Sequence, residues 1–259
     1  MPPRPPAADS KERFSSRVDA YVAARPRYPR ETIEVLQKAI DLEPSWQIVD
    51  VGSGTGISSE LFVANGNPVT AVEPNAEMRN AAEKSLSRYP HFKSINASAE
   101  ATTLPDKSAD LIVAAQAFHW FDIAATRKEF LRILRPGGWA LLMWNDRKLG
   151  GTPFLEAYEK LLLTYGTDYT KIRHNNVGPK ELDPFFGPAG FQTAHLPNYQ
   201  HLDFAGLRLR LLSSSYIPHE GDSRYEPMLA ELRDMFDRYN AEGRVTIEYK
   251  TELFFGQLI

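Results

Sequence analysis

Cysteine is absent from the 259 residues, which excludes disulfides, thiolate metal sites and a cysteine nucleophile, and accords with a reducing compartment. Long apolar runs are missing too. Nothing approaches the ~18 consecutive apolar residues of a membrane span, and the proline-rich, charged start lacks the apolar stretch of a signal peptide. A cytoplasmic chain with no membrane partner is expected. There is no excess of positive charge: 30 Lys and Arg stand against 33 Asp and Glu, a formal net charge of −3. A phosphate backbone would find little to neutralise it, so nucleic acid is not an expected partner. His91, His119, His174, His195, His201 and His219 form no spaced ligand pair, and no metal is expected. Internal repeats are also lacking, and low complexity is confined to the proline-rich start.

What is present is an alternation. From Gln47 to Trp144 short β-branched apolar runs alternate with amphipathic ones, the pattern of an α/β fold with a parallel sheet covered on both faces. Strands are expected at Ile48–Val51, Val69–Val72, about Lys93–Asn96, Asp110–Ala115 and Trp139–Trp144, the last after a Pro136-Gly137-Gly138 turn. A helix from about Ser58 ends at Gly66, and Phe130, Leu131 and Leu134 mark the apolar face of another. Beyond Trp144, residues Phe154, Tyr158, Leu161, Leu162 and Tyr165 share one helical face. Residues 180–191 read as turn-rich, Gln192–Phe204 as a strand, and Met228 to Tyr239 as a helix. Val245–Phe255 alternates as a last, half-exposed strand. Residues 1–12 are expected to be a disordered tail and 13–259 a single domain, with its core over 47–145 and an insertion covering the site over about 146–190.

The chemistry concentrates in Asp50-Val51-Gly52-Ser53-Gly54-Thr55-Gly56, placed between the first strand and its helix. Three alternating glycines let the backbone turn sharply and let a ligand lie against main-chain atoms, while the next helix offers unpaired N–H groups. The nicotinamide fingerprint G-x-G-x-x-G requires a third glycine where this chain has Ile57, so a dinucleotide is disfavoured. Glu73 closes the second strand, one β-α-β unit on, where a carboxylate can accept both hydroxyls of a ribose. Pro74 and Met78 follow. Met78 suits either an adenine face or a helix core.

These residues carry a resemblance. The glycine loop, the Ala71–Asn75 strand end, Ala97–Pro105, Asp110–Asp122 and Leu131–Trp144 resemble the type 11 class I S-adenosylmethionine (SAM) methyltransferases. Residues 14–29 and 246–258 are similar to the subgroup known as trans-aconitate-methyltransferase-like. The resemblance implies a Rossmann-like, seven-stranded, mostly parallel sheet with one antiparallel strand, helices on both faces, and SAM as cofactor with S-adenosylhomocysteine as product. It implies that Asp50, Gly52, Ser53, Gly54 and Gly56 surround the methionine and ribose, that Glu73 binds the ribose, and that Ser98, Ala99 and Glu100 edge the adenine. Many relatives have aspartate at Ser98, leaving the adenine amino group to that hydroxyl, to Glu100 or to backbone. The same resemblance implies that Gln116 opens onto the sulfonium and that Tyr21 and Arg25 close over the cofactor, Arg25 pairing with its carboxylate.

His119 stands at the reaction edge and can take a proton from a hydroxyl or amine acceptor, or simply line the pocket with Trp120. A carboxylate acceptor needs no base. The acceptor pocket is expected among His119, Trp120, Trp144 and Arg147, with Asn145, Arg173 and His174 nearby, and an anionic organic molecule fits it. A small-molecule methyltransferase, monomeric or homodimeric, is the leading reading. A SAM-binding protein without transfer activity and, behind it, a nicotinamide oxidoreductase stay open.

Overall fold

A computed structural model describes residues 24–167, 169, 178–214 and 216–259. Seven strands form one sheet: β1 (Ile48–Val51), β2 (Val69–Val72), β3 (Phe92–Ile95), β4 (Ala109–Ala115), β5 (Leu134–Arg147), β6 (Gln192–Leu202) and β7 (Val245–Gln257), in the order β3-β2-β1-β4-β5-β7-β6. The first five run parallel, and β7 lies antiparallel between β5 and β6. β1 and β2 are buried along their whole length, as strands covered on both faces must be. The expected α/β, Rossmann-like sheet is therefore present.

Helices α1 (Glu31–Ile40), α2 (Ile57–Ala64), α3 (Ala76–Leu86) and α4 (Ile123–Ile133) serve the parallel half; α5 (Pro153–Tyr165), α6 (Pro179–Phe186), α7 (Phe204–Leu212) and α8 (Tyr225–Tyr239) serve the rest. α1 packs through Ile33, Leu36 and Ile40 beneath β1 and β4. α5, α7 and α8 build a separate apolar cluster on Tyr158, Leu211, Met228 and Leu232, closed by Val245, Ile247 and Tyr249 of β7. The antiparallel end of the sheet thus rises out of the first core into a second one.

Three readings need correction. Residues 180–191 are not a run of turns: α6 forms there because Leu182, Phe185 and Phe186 recur at helical spacing and bury against Phe118 and Phe130. β5 starts at Leu134 rather than after the Pro136-Gly137-Gly138 turn, since Leu134 pairs with Ala109 and the irregularity is absorbed as a register shift. The strand expected to reach Phe204 stops at Leu202, because the Asp203 side chain accepts from Gly206 N and caps α7. β7 alternates buried and part-exposed residues as its sequence implies, and β6, earlier in sequence, takes the sheet edge outside it.

The loop after β3 is tied to α4 by Glu129. Its Oε1 accepts from Thr102 N (2.8 Å) and Thr102 Oγ1 (2.5 Å), and Arg132 donates to both of its oxygens. The Arg132 hydrogen bond, above all, holds the Glu129 carboxyl down at about 2 from an ordinary 4.5. A depressed acid stabilises the fold above pH 4.5 and loses that contribution as pH falls through about 2. Glu129→Gln is expected to cost roughly 2 kcal/mol at neutral pH and to flatten the acid limb of a stability-against-pH curve. An unchanged acid limb in urea titrations would assign acid unfolding to other groups.

Candidate functional site

At the carboxyl end of β1 the backbone reverses through Gly52, Gly54 and Gly56, whose φ values of +66°, +56° and +82° all lie in the left-handed region. Gly52 N donates to Val72 O (2.8 Å), stitching the loop to β2. A Cβ on Gly52 would sit 2.6 Å from the Ala117 Cβ, so this glycine exists for close packing against the exit of β4. Gly54 is different: a Cβ there would meet nothing within 4 Å. Its main chain faces open space, as a backbone that receives a ligand must.

Two carboxylates flank this loop. Asp50 is fully buried; its Oδ2 accepts from Ser58 Oγ (2.7 Å) and Ser59 Oγ (2.6 Å), while Oδ1 is buried without a hydrogen-bond partner among the described residues. Burial pushes its carboxyl up to about 6, against the opposing pull of the two serines. Glu73, 9% exposed, accepts from Gly54 N at Oε2 (2.9 Å) and from Asn75 N at Oε1 (2.8 Å). The sequence-expected carboxylate is thus in hydrogen-bond contact with the open glycine. Pro74 is half-buried, and Met78 is 5% exposed on the first turn of α3, its N–H capped by Asn75.

On the far side of β2, Ser98 bridges to Ala101, Ala99 is buried, and Glu100 Oε1 accepts from Asp122 N (3.1 Å) at the start of α4. Ser53 is buried within the loop. Gln116, at the end of β4, adopts φ +55°, a costly conformation for a residue with a Cβ and one that clusters at functional sites. Its Nε2 donates to Asn145 O (3.2 Å) on β5. A short helical turn at Phe118–Trp120 follows, with half-buried His119 tilted against Trp120 at 4.9 Å. Trp144 packs edge-on to Phe118. Gln116, His119, Trp120 and Trp144 thus gather where β4 and β5 end.

Beyond that edge lies a polar cluster that local sequence reading largely missed. Asn145 donates to Pro26 O and Arg27 O and accepts from Thr251 Oγ1 (2.5 Å) and Asn198 Nδ2 (3.1 Å), pinning residues 26–27 over the strand ends. Gln200 Nε2 donates to Ala24 O, and Arg25 Nη2 donates to Ser213 O (3.0 Å). Arg147 is buried, donating to Glu159 Oε2 (2.5 Å) and to the Tyr169 hydroxyl (2.7 Å) beside the Tyr158 ring. Burial pushes the Tyr158 hydroxyl up to about 12. Arg210 of α7 is buried against Tyr249 and Ser214. Nothing in the local pattern marks Arg210, because Arg208 and Arg210 alternate with leucines and only the tertiary packing separates an exposed from a buried guanidinium. Tyr21, Arg173 and His174 lie outside the described residues. Among the described residues no three His, Asp or Glu side chains are grouped to hold a metal, and no helix is long and apolar enough to cross a membrane.

Residues 49–142 match the family described as a methyltransferase domain. An uncharacterised methyltransferase of Mycobacterium tuberculosis is 39% identical over 139 residues, 53% of this chain and 54% of that protein; the match thus spans about half the length of these curated relatives. A methyltransferase-like protein of Schizosaccharomyces pombe is 28% identical over 250 residues, 94% of each chain. In fold, the chain is similar to a protein of Anaeromyxobacter dehalogenans described as a type II methyltransferase (TM-score 0.62, 20% identity, 91% of this chain and 98% of that one). It is also similar to the YcgJ protein of Bacillus subtilis (TM-score 0.54, 18% identity, 88% and 98%).

Proposed function

We propose that this chain is a SAM-dependent methyltransferase that transfers a methyl group to a small organic acid. The observation that carries the reading is Gly54: left-handed, open on its Cβ side, and in direct hydrogen-bond contact with Glu73. The methyltransferase-domain match over 49–142 and the related folds support the same chemistry. The trans-aconitate-like sequence resemblance and the buried arginines of the polar cluster favour an acidic acceptor. When bound, SAM supplies an electrophilic methyl group on a sulfonium, displaced as S-adenosylhomocysteine.

The residues suit that ligand. Glu73 accepts the ribose hydroxyls, and Asp50, whose Oδ1 has no hydrogen-bond partner among the described residues, underlies the methionine end with Gly52, Ser53, Gly54 and Gly56. Pro74, Met78, Ser98, Ala99 and Glu100 border the nucleoside, and Tyr21 and Arg25 cover it. Gln116, His119, Trp120, Trp144 and Arg147 shape the acceptor side and hold the accepting atom in line, which lowers the barrier by orientation and exclusion of water. His119 takes a proton only from a hydroxyl or amine acceptor; a carboxylate presents none. A cytoplasmic monomer or homodimer is part of the same proposal. Ile57 in place of a third fingerprint glycine opposes the nicotinamide reading.

Calorimetric titration with SAM and with S-adenosylhomocysteine tests this. Losing two hydrogen bonds to a charged acceptor removes about 3 kcal/mol, so Glu73→Ala is expected to weaken binding about 100-fold while retaining its circular dichroism. No binding of either ligand to the wild-type chain would sink the proposal. Binding without turnover on any carboxylic acid, phenol or amine would leave a SAM-binding protein.

A further inference from the structure

Arg210 is a buried cation with no counter-ion among the described residues. It is 5% exposed, its Nε donates to the Tyr249 hydroxyl (3.1 Å) and its Nη1 to Ser214 Oγ (3.3 Å), both hydroxyl oxygens rather than carboxylates. A guanidinium has five N–H donors and stays charged in a protein. The neighbouring Arg147 has taken the nearby carboxylate, Glu159, which also accepts from Tyr169 (2.5 Å). Tyr158 and Tyr216 lie within electrostatic reach of both arginines. Among the described residues Arg147 and Glu159 thus offset one another, while Arg210 keeps its positive charge without a carboxylate. A fold tolerates an uncompensated buried charge poorly, so an anion is the missing member. The Tyr158 hydroxyl, on a side chain 1% exposed, makes no hydrogen bond to a described residue and is a second donor for it.

We infer that Arg210 and Tyr158 bind a carboxylate of the methyl acceptor, an anchoring group separate from the atom that is methylated. The inference rests on the methyltransferase reading. It specifies which residues hold the acceptor and what that acceptor carries. Tyr249, the partner of Arg210, pairs with Arg147 across β5 and β7, two residues beyond the pair Asn145 and Thr251. Gln116 touches Asn145, so the strand pair that carries Tyr249 lies about 7 Å along the strands past the edge where β4 ends, at ~3.3 Å per strand residue. An acceptor that spans this distance carries a carboxylate at one end and its nucleophile several atoms away: a dicarboxylic acid, or a hydroxy or amino carboxylic acid. The planar oxygens of a carboxylate suit the fork of a single guanidinium.

Thermal unfolding of the full chain at constant ionic strength tests this with succinate and glutarate as probes, succinamide as the uncharged control, and sulfate as the competing anion. The wild-type Tm is expected to rise about 3 °C with either dicarboxylate and not with succinamide. Arg210→Met is expected to lose that rise and to unfold, without ligand, at or above the wild-type temperature, because its removal relieves the uncompensated charge. A structural arginine would instead leave Met destabilised. Tyr158→Phe is expected to halve the rise, and it carries the test where Arg210→Met does not fold. No response to carboxylates, an equal response to sulfate, or a rise retained in both variants overturns the inference. The methyltransferase reading is checked separately by the Tm rise of wild type with S-adenosylhomocysteine; its absence there condemns that reading whatever the carboxylates do.

Discussion

Gly52→Ala is expected to lose a large part of the fold's stability, while Gly54→Ala folds but binds the cofactor much more weakly. The two glycines share a left-handed backbone, so an alanine at either costs about 1–2 kcal/mol in conformation. They differ in surroundings. At Gly52 the new methyl would lie 2.6 Å from the Ala117 Cβ and 3.2 Å from Phe121, both at the exit of β4, and relieving that clash adds about 1–3 kcal/mol. The sum, roughly 2–5 kcal/mol, is a large part of the 5–15 kcal/mol typical of a domain and corresponds to a fall in Tm of about 10 °C. At Gly54 the methyl enters open space. There it stands where a ligand approaches the main chain, so the expected outcome is a Tm within about 4 °C of wild type and at least ~30-fold weaker SAM binding. Differential scanning and titration calorimetry on both variants check this. Normal SAM binding by Gly54→Ala would place the ligand elsewhere.

Glu159→Ala is expected to be about as damaging, by a different route. Arg147 is buried with this carboxylate at 2.5 Å, and the Tyr169 hydroxyl also donates to it. Removing the carboxylate leaves Arg147, like Arg210, without a carboxylate partner among the described residues, and breaking one partner of a buried pair costs about 3–5 kcal/mol. Removing both charges should cost far less, because the desolvation penalty of Arg147 disappears with its guanidinium. The double variant Arg147→Met, Glu159→Leu is expected to recover more than half of the lost stability in urea denaturation. A double variant as unstable as Glu159→Ala would show that the site is held by packing of Tyr158 and Tyr169 rather than by charge.

The parallel half of the molecule was legible because each of its strands is a short apolar run with its own turn signal. β1, β2 and β4 begin and end within a residue of where the β-branched runs do, and Glu73 follows β2 directly, so its place beside the glycine loop was readable without coordinates. α6 was misread because Pro184, Gly187 and Pro188 in the sequence outweigh three aromatic or aliphatic residues whose burial depends on the distant Phe118 and Phe130. α1 passed unremarked although Ile33, Leu36 and Ile40 recur at helical spacing. Arg147 was singled out as basic, but its partner Glu159 was not, since twelve residues and a turn separate them.

By itself the sequence determined the order of strands and helices in the parallel half, the position of the ligand-facing loop, and the carboxylate that serves it. All of these depend on residues close together along the chain, where periodicity and turn chemistry act. Only the tertiary structure decided that β7 lies inside β6, that Gly52 is closed and Gly54 open, and that Arg210 is buried with no counter-ion among the described residues. Each of those depends on segments brought together from far apart in the chain, Gly52 with Ala117 and Arg210 with Tyr249, and burial, the quantity that turns a surface arginine into a binding group, has no local signature.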